Sequence, residues 1–124
     1  MKRLKKLDFL VVSDFFLSET AEHADVVLPT TTWAEDEGTT TNLEGRVIRV
    51  RKVRDPLGES KPDWEIVSLI AERMGKREVL PLSNSTRNFF EEFRVASKGG
   101  PADYYGITWD RIDKEDGVFL AVSF

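Results

Sequence analysis

Two short apolar runs near the start of the sequence constrain the fold of this chain more than any other feature. The first covers residues 9–12 (FLVV) and stops at Ser13-Asp14, and the second covers residues 26–28 (VVL) and stops at Pro29. Runs this short, without polar alternation, are typical of strands buried on both faces of a parallel sheet. In open α/β sheets, ligands bind beyond the carboxyl ends of such strands. The sequence therefore predicts strands at residues 8–12 and 25–28, with a ligand-binding edge just after them.

The remaining elements support an α/β fold. A long polar loop is predicted for residues 30–44, with a turn at positive φ at Gly38, and a basic strand or ribbon for residues 46–53. The clearest helix follows a capping box at residues 60–63, carries an apolar stripe at Ile66, Leu69, Ile70 and Met74 that should pack on the sheet, and ends at Gly75. A second helix is predicted at residues 88–96 and a helical turn at 108–112, before an apolar tail at 118–124.

These elements fit one domain spanning residues 1–124, but the strands are fewer than a doubly wound sheet needs. We therefore expect the chain to be part of a larger α/β domain.

Composition excludes several classes of protein. The chain has no cysteine and one histidine, His23, so disulfides, thiolate metal ligands and a multi-histidine metal site are excluded. The net charge of −4 argues against a nucleic-acid binder. No apolar run is long enough for a membrane span, and the basic start lacks the apolar segment of a signal peptide. A cytoplasmic location is the expectation.

The polar residues after the two strands are candidates for ligand binding. Asp14 lies at a strand end, where a carboxylate can accept paired N–H donors from a guanine edge or bind a ribose diol, or can cap a turn. Ser18 and Thr20 could bind phosphate or sugar, although helix capping is the simpler role.

Two further segments have weaker signals. The hydroxyl-rich segment 38–42 (GTTTN) could hold a polar ligand through its backbone and side chains, but it matches neither common nucleotide motif. The arginines that follow could face phosphates or pair with the acidic residues 35–37, and self-pairing is the default for such a charge run.

The order of four sequence blocks resembles the molybdopterin oxidoreductases, that is the dimethyl-sulfoxide-reductase family, and within it formate dehydrogenase and nitrate reductase. The blocks are DxxxSxTA at residues 14–21, ADVVLP at 24–29, WAExEGTxTNxEGRV at 33–47 and PDW at 62–64. The resemblance is strongest over residues 7–75 and weaker over 76–124. It implies a partial Rossmann-like, three-layer α/β domain with a short, mostly parallel sheet and flanking helices.

The resemblance also implies a cofactor, the molybdopterin guanine dinucleotide with molybdenum or tungsten. By that resemblance Asp14 and Ser18, with Thr20 beside them, contact the guanosine portion. A second group of residues forms a loop near the pterin and pyrophosphate: Gly38, Thr39, Thr41 and Asn42. The family usually has glutamine where this chain has Ser13, an aromatic residue at Thr40 and glutamine at Ile48.

The metal-ligating and catalytic residues of the family have no counterpart in this sequence, and an iron–sulfur cluster would belong elsewhere in the whole enzyme. The prediction is therefore a cofactor-binding segment without catalysis of its own. Its partners would be the remaining domains of the same oxidoreductase and an electron-transfer subunit. The alternative is a stand-alone, non-catalytic module for cofactor binding or subunit assembly.

Overall fold

The computed structural model of the chain describes residues 3–78 and 85–120. Backbone contacts divide it into two compact units. Unit 1 comprises residues 1–36 and 53–82, and unit 2 comprises residues 37–52 and 83–124. The segment 37–52 thus interrupts unit 1 in the sequence and contributes to unit 2. The prediction that residues 1–124 form one domain stays a prediction.

Unit 1 contains a two-stranded parallel sheet, as predicted. Strand β1 (Val11–Asp14) pairs with β2 (Val26–Pro29), in a register that sets Val11 against Val26 and Asp14 against Pro29. Both strands begin later than the predicted bounds 8–12 and 25–28, because Asp25 forms hydrogen bonds with Leu10 just before the first paired residues. Its backbone N–H donates to the Leu10 carbonyl at 2.8 Å, and its carboxylate accepts from the Leu10 N–H at 2.8 Å. Two 3-10 helices lie at Leu4–Lys6 and Ala21–His23.

The expectation that both faces of these strands are buried is wrong for this chain. Phe9 is 64% exposed, Val11 46% and Val26 38%. The faces of a strand are covered by elements that pack above and below the sheet, and the described residues leave much of these faces uncovered. The apolar runs identified the strands correctly but not what covers them.

Helix α1 (Asp63–Arg73) confirms the predicted helix, and Gly75 follows it with a φ of 69°, the conformation of a C′ glycine. Its start differs from the prediction, because Pro62 is the N-cap residue and no side chain caps the helix. Its covered face also differs. Ser68 and Ala71 are buried, whereas Ile70 and Met74 of the predicted stripe are 46% and 70% exposed. Periodicity shows which face of a helix is apolar, but burial depends on what lies opposite that face.

Unit 2 contains an antiparallel sheet in the order β3-β4-β5. Strand β3 (Gly38–Thr41) pairs with β4 (Arg46–Val50), which pairs with β5 (Val118–Phe119). Strand β4 confirms the predicted basic strand or ribbon over residues 46–50, whereas residues 51–53 of the prediction are not in a strand. The predicted loop at residues 30–44 is wrong over β3, and Gly38 is an extended strand residue without positive φ. The turn at positive φ is instead at Gly45, where φ is 77°.

The helices of unit 2 confirm the sequence predictions. Helix α2 (Thr86–Ala96) begins at the N-cap Ser85, whose side chain accepts from the Asn88 N–H. Helix α3 (Trp109–Lys114) begins at the N-cap Thr108, whose side chain accepts from the Arg111 N–H. These helices and the sheet enclose one apolar cluster: Val47, Phe90, Ile107, Trp109, Ile112 and Val118.

The α/β class and the short parallel sheet with helices are confirmed. Parts of the predicted connector at 76–87 and of the tail at 118–124 lie outside the described residues. Within residues 3–78 and 85–120, no helix is both long enough and apolar enough to cross a membrane.

Candidate functional site

The carboxyl ends of β1 and β2 meet at one edge of the parallel sheet. Asp14 is the last residue of β1, and its carbonyl accepts from the N–H of Thr30, the residue after β2, at 3.2 Å. The half-buried Asp14 carboxylate accepts from the Phe15 N–H at 2.9 Å through Oδ1. A carboxylate has two oxygens and several acceptor positions, so this bond leaves capacity for a ligand. The edge predicted from the sequence is therefore present.

Asp63, the first residue of α1, adds a second carboxylate to this edge. Its Oδ1 accepts from the Thr30 hydroxyl at 2.8 Å and from the Ser13 hydroxyl at 3.2 Å. The chain reaches this position because Lys61 pairs with β2: its N–H donates to the Pro29 carbonyl at 3.2 Å. The sequence indicated only a helix-capping position for Asp63. The PDW block was the available signal.

Ser18 and Thr20 line an open depression of about 390 Å³ together with Phe16 and Glu19. The Ser18 hydroxyl accepts from the Ala21 N–H at 3.4 Å, which confirms its predicted capping role. Thr20 is the N-cap residue of the following 3-10 helix, but its side chain makes no capping bond. Asp14 is not among the residues that line this depression.

The other predicted site residues belong to unit 2, so the seven predicted residues are divided between the two units. Gly38, Thr39 and Thr41 lie in β3, where Thr39 is opposite Arg49 and Thr41 opposite Val47. The Thr41 hydroxyl lies 3.0 Å from the Tyr104 hydroxyl, in hydrogen-bond contact. These residues are held by strand pairing rather than by the loop that the sequence predicted.

Asn42 shapes the turn between β3 and β4. Its Oδ1 accepts from the backbone N–H groups of Glu44 at 3.0 Å and Arg46 at 2.9 Å. Its backbone carbonyl accepts from the Gly45 N–H at 3.0 Å. The side-chain oxygen of Asn42 is therefore engaged by the turn, and only the Nδ2 amide hydrogens are left for another partner.

Glu35 is a buried acid of unit 1, with 4% of its surface exposed. Its Oε2 accepts from the Thr32 N–H at 3.0 Å, and its Oε1 accepts from Arg54 Nη2 at 2.5 Å. The Thr32 backbone N–H, followed by Arg54, lowers the pKa of Glu35 against the opposing effect of burial. Within the described ranges, no group of three or more acids or histidines is placed to hold a metal ion.

The basic residues of β4 and its continuation pair largely with acids of their own chain. In unit 2, Arg49 lies 3.1 Å from Asp113 and 3.6 Å from Glu37. In unit 1, Arg54 pairs with Glu35. Self-pairing with the acids at 35–37, the default interpretation of this charge run, is confirmed.

Comparison with known proteins defines the class of this α/β chain. The family profile described as molybdopterin oxidoreductase matches residues 1–73. The catalytic subunit of the assimilatory nitrate reductase of Bacillus subtilis is 45% identical over 117 residues, 94% of this chain and 16% of that protein. The alpha subunit of an F420-dependent formate dehydrogenase of Methanococcus maripaludis is 47% identical over 111 residues, 90% of this chain and 16% of that protein.

A solved structure shows the same likeness in three dimensions. Acetylene hydratase from Pelobacter acetylenicus matches 99% of this chain with a TM-score of 0.67 and 26% identity, over 16% of its own length. The chain belongs to the molybdopterin oxidoreductase family. It spans 16% of the length of these relatives, and the family resemblance read from the four sequence blocks is confirmed.

Proposed function

We propose that this chain is a segment of a molybdenum or tungsten oxidoreductase that helps to bind the guanine dinucleotide form of molybdopterin. The observation that carries the proposal is the register of β1 and β2, which ends both strands at one edge, with Asp14 at the end of β1 and Asp63 bonded to Thr30 just after β2. Ligand binding at the carboxyl ends of parallel strands is the general rule for α/β sheets. The membership of the family supplies the class of ligand.

The residues of unit 1 fit a guanosine group chemically. A guanine edge presents neighbouring N–H donors, and the carboxylates of Asp14 and Asp63 are acceptors with capacity left. The hydroxyls of Ser18 and Thr20 line a depression open to solvent, where they can reach a sugar or phosphate. We therefore assign Asp14 and Ser18 to the guanosine portion, with Thr20 as their neighbour.

The residues of unit 2 fit the pterin and pyrophosphate portion less uniformly. Thr39 and Gly38 offer a half-buried strand surface, and nothing lies within 4 Å of the position that a Gly38 side chain would take. Thr41 and Asn42 already use their oxygens within the protein. At these two positions the groups proposed to contact the cofactor are therefore the Thr41 hydroxyl, which can form a further hydrogen bond, and the amide hydrogens of Asn42.

The bound cofactor would supply two-electron redox chemistry at its metal, and the residues of this chain would orient its nucleotide end. Iron–sulfur clusters, the other domains and an electron-transfer subunit belong to the proposed whole enzyme. The cytoplasmic location stays a prediction. We expect no turnover of formate or nitrate by the purified 124-residue chain, and a measured steady-state rate would contradict this.

Titration with GDP, followed by the backbone amide NMR signals of the chain, tests the proposed guanine site. We expect saturable shifts at residues 13–20 and near Asp63. The Asp14→Asn variant should weaken GDP binding by about tenfold, because it replaces a charged acceptor by a neutral amide that also presents donors to the base. Ser18→Ala should weaken it less.

The matched control is Asp8→Asn, which removes the same charge from an exposed residue ahead of β1. Its affinity for GDP should equal that of the unmodified chain. The proposal would be wrong if residues 13–20 show no shift at millimolar GDP, or if Asp8→Asn and Asp14→Asn weaken binding equally.

A further inference from the structure

A polar cleft in unit 2 includes Asn42, one of the proposed cofactor contacts, but its arginines have no part in those contacts. It has a volume of about 300 Å³ and lies between β4 and the segment that links α3 to β5. Three arginines, two aspartates, two isoleucines, an asparagine and a glycine line it: Arg46, Arg49, Arg51, Asp113, Asp116, Ile48, Ile112, Asn42 and Gly117. The lining residues carry three guanidinium groups and two carboxylates, and Glu37 pairs with Arg49 from outside the lining.

Arg46 is the arginine of this cleft without an ion pair among the described residues. Its Nε is buried and has no hydrogen-bond partner, and no ion pair with a carboxylate is found for it within the described residues. Its guanidinium carbon lies 5.4 Å from the centre of the Phe119 ring, a contact that orients the group without neutralising it. A half-buried cation without a counter-ion loses part of its hydration without compensation, so an external anion would stabilise it.

The other two arginines are already held in place. Arg49 has a side chain only 13% exposed, with its guanidinium carbon 3.8 Å from the centre of the Trp109 ring. The Asp113 carboxylate bridges Arg49 at 3.1 Å and Arg51 at 3.2 Å. The Nε of Arg49 is also buried without a hydrogen-bond partner. Since a side chain that is fixed before binding loses little entropy on binding, Arg49 is prepared to receive a ligand, whereas the Arg51 side chain is 74% exposed and is held by Asp113 alone.

From this arrangement we infer that the cleft lined by Arg46, Arg49 and Arg51 is a binding site for a phosphoryl oxyanion. A guanidinium offers N–H donors in a planar fork that matches the oxygens of a phosphate group. The oxyanion supplies the counter-charge that Arg46 lacks. Asp116, at the rim with a φ of 50°, opposes the anion and so limits its affinity. The inference does not depend on the guanine site, because every residue that lines the cleft belongs to unit 2.

Titration of the ¹⁵N-labelled chain with inorganic phosphate, at an ionic strength held constant with chloride, tests the site. We expect saturation in the millimolar range, read from the arginine Nε–H signals of Arg46 and Arg49 and from the amides of Asp116 and Gly117. Constant ionic strength removes general screening as a cause of these shifts.

Three variants separate a built site from general charge. Arg46→Gln should weaken phosphate binding by about tenfold, because it removes the unpaired guanidinium. Arg87→Gln makes the same chemical change at an exposed arginine of unit 2 that pairs with Asp110, and it should leave the affinity unchanged. Asp116→Asn removes the opposing charge, tolerates the left-handed backbone, and should tighten binding by several-fold.

Titration with GMP distinguishes the two sources of a phosphoryl group. Tighter binding of GMP than of phosphate at residues 46–49 and 113–117 assigns the cleft to a phosphate ester, and equal binding assigns it to the free ion. Shifts confined to residues 13–20 would support the guanine site alone and contradict the cleft. The inference is also overturned if phosphate moves none of the cleft signals, or if Arg87→Gln weakens binding as much as Arg46→Gln.

Discussion

Glu35 is an acidic residue that stabilises the fold through contacts within the protein rather than by binding a ligand. Sequence analysis placed it in a polar loop among acids that could pair with arginines, yet it is buried and accepts bonds from Thr32 and Arg54. We expect Glu35→Gln to lower the urea midpoint of unit 1. The neutral amide cannot form the ion pair with Arg54, and it presents an N–H donor towards the Thr32 N–H. Urea unfolding, followed by the amide signals of unit 1, measures this.

The same residue gives a pH dependence whose sign follows from its lowered pKa. The folded state binds the Glu35 proton more weakly than the unfolded state, whose pKa is near the ordinary value of 4.5. The carboxylate therefore stabilises the fold above that pH, and this contribution is lost as the pH falls through the lower folded-state pKa. The stability difference between the unmodified chain and Glu35→Gln should be largest at neutral pH and shrink in acid.

A matched control for both measurements is Glu22→Gln, which changes an exposed acid in the short helix of the same unit. Its unfolding midpoint should remain close to that of the unmodified chain at every pH. A Glu35→Gln midpoint equal to that of Glu22→Gln would show that the Arg54 and Thr32 contacts contribute nothing.

At the scale of elements, the β3–β4 hairpin was the largest error of the sequence prediction. Residues 38–41 (GTTT) have no apolar alternation, so they resemble a loop, and their strand pairing depends on β4. The signal that could have found the hairpin was local: threonines with high strand propensity, then Asn42 and Gly45 at turn positions before the apolar-rich β4. Helices α1 and α2 were predictable because the 3.6-residue period of their apolar residues is local in the sequence, as is Gly75 after α1.

The hairpin turn makes a quantitative prediction. Asn42→Ala removes two hydrogen bonds to the backbone N–H groups of Glu44 and Arg46, and should destabilise unit 2 by about 1–2 kcal/mol. Hydrogen exchange of the β4 amides measures this loss. Asn88→Ala, an exposed asparagine of α2, is the control and should change stability by less than about 0.5 kcal/mol. Equal effects of the two variants would show that the Asn42 side chain does not stabilise the turn.

At the scale of the whole chain, the two units differ in how much apolar surface they bury. The large buried side chains form the cluster of unit 2, whereas the buried apolar residues described in unit 1 are Ala21 and Ala71. The sequence could not show this difference, since its apolar runs are stronger in unit 1. The apolar runs determine which residues pair as strands. Whether the faces of these strands are buried depends on residues outside β1 and β2.

This difference predicts that unit 1 unfolds before unit 2. Each fully buried Val, Ile or Phe stabilises a fold by about 1.5–3 kcal/mol, and such residues are concentrated in unit 2. In a urea titration of the 124-residue chain, the amides of Val12 and Leu28 should lose protection at a lower concentration than those of Val47 and Ile112. Ile112→Ala should lower the free energy of unfolding of unit 2 by about 2–5 kcal/mol, and so lower its urea midpoint. The urea midpoint of unit 1 should remain unchanged. A single shared midpoint that moves as a whole with Ile112→Ala would contradict the prediction, because it would mean that the core of unit 2 also stabilises the strands that carry Asp14.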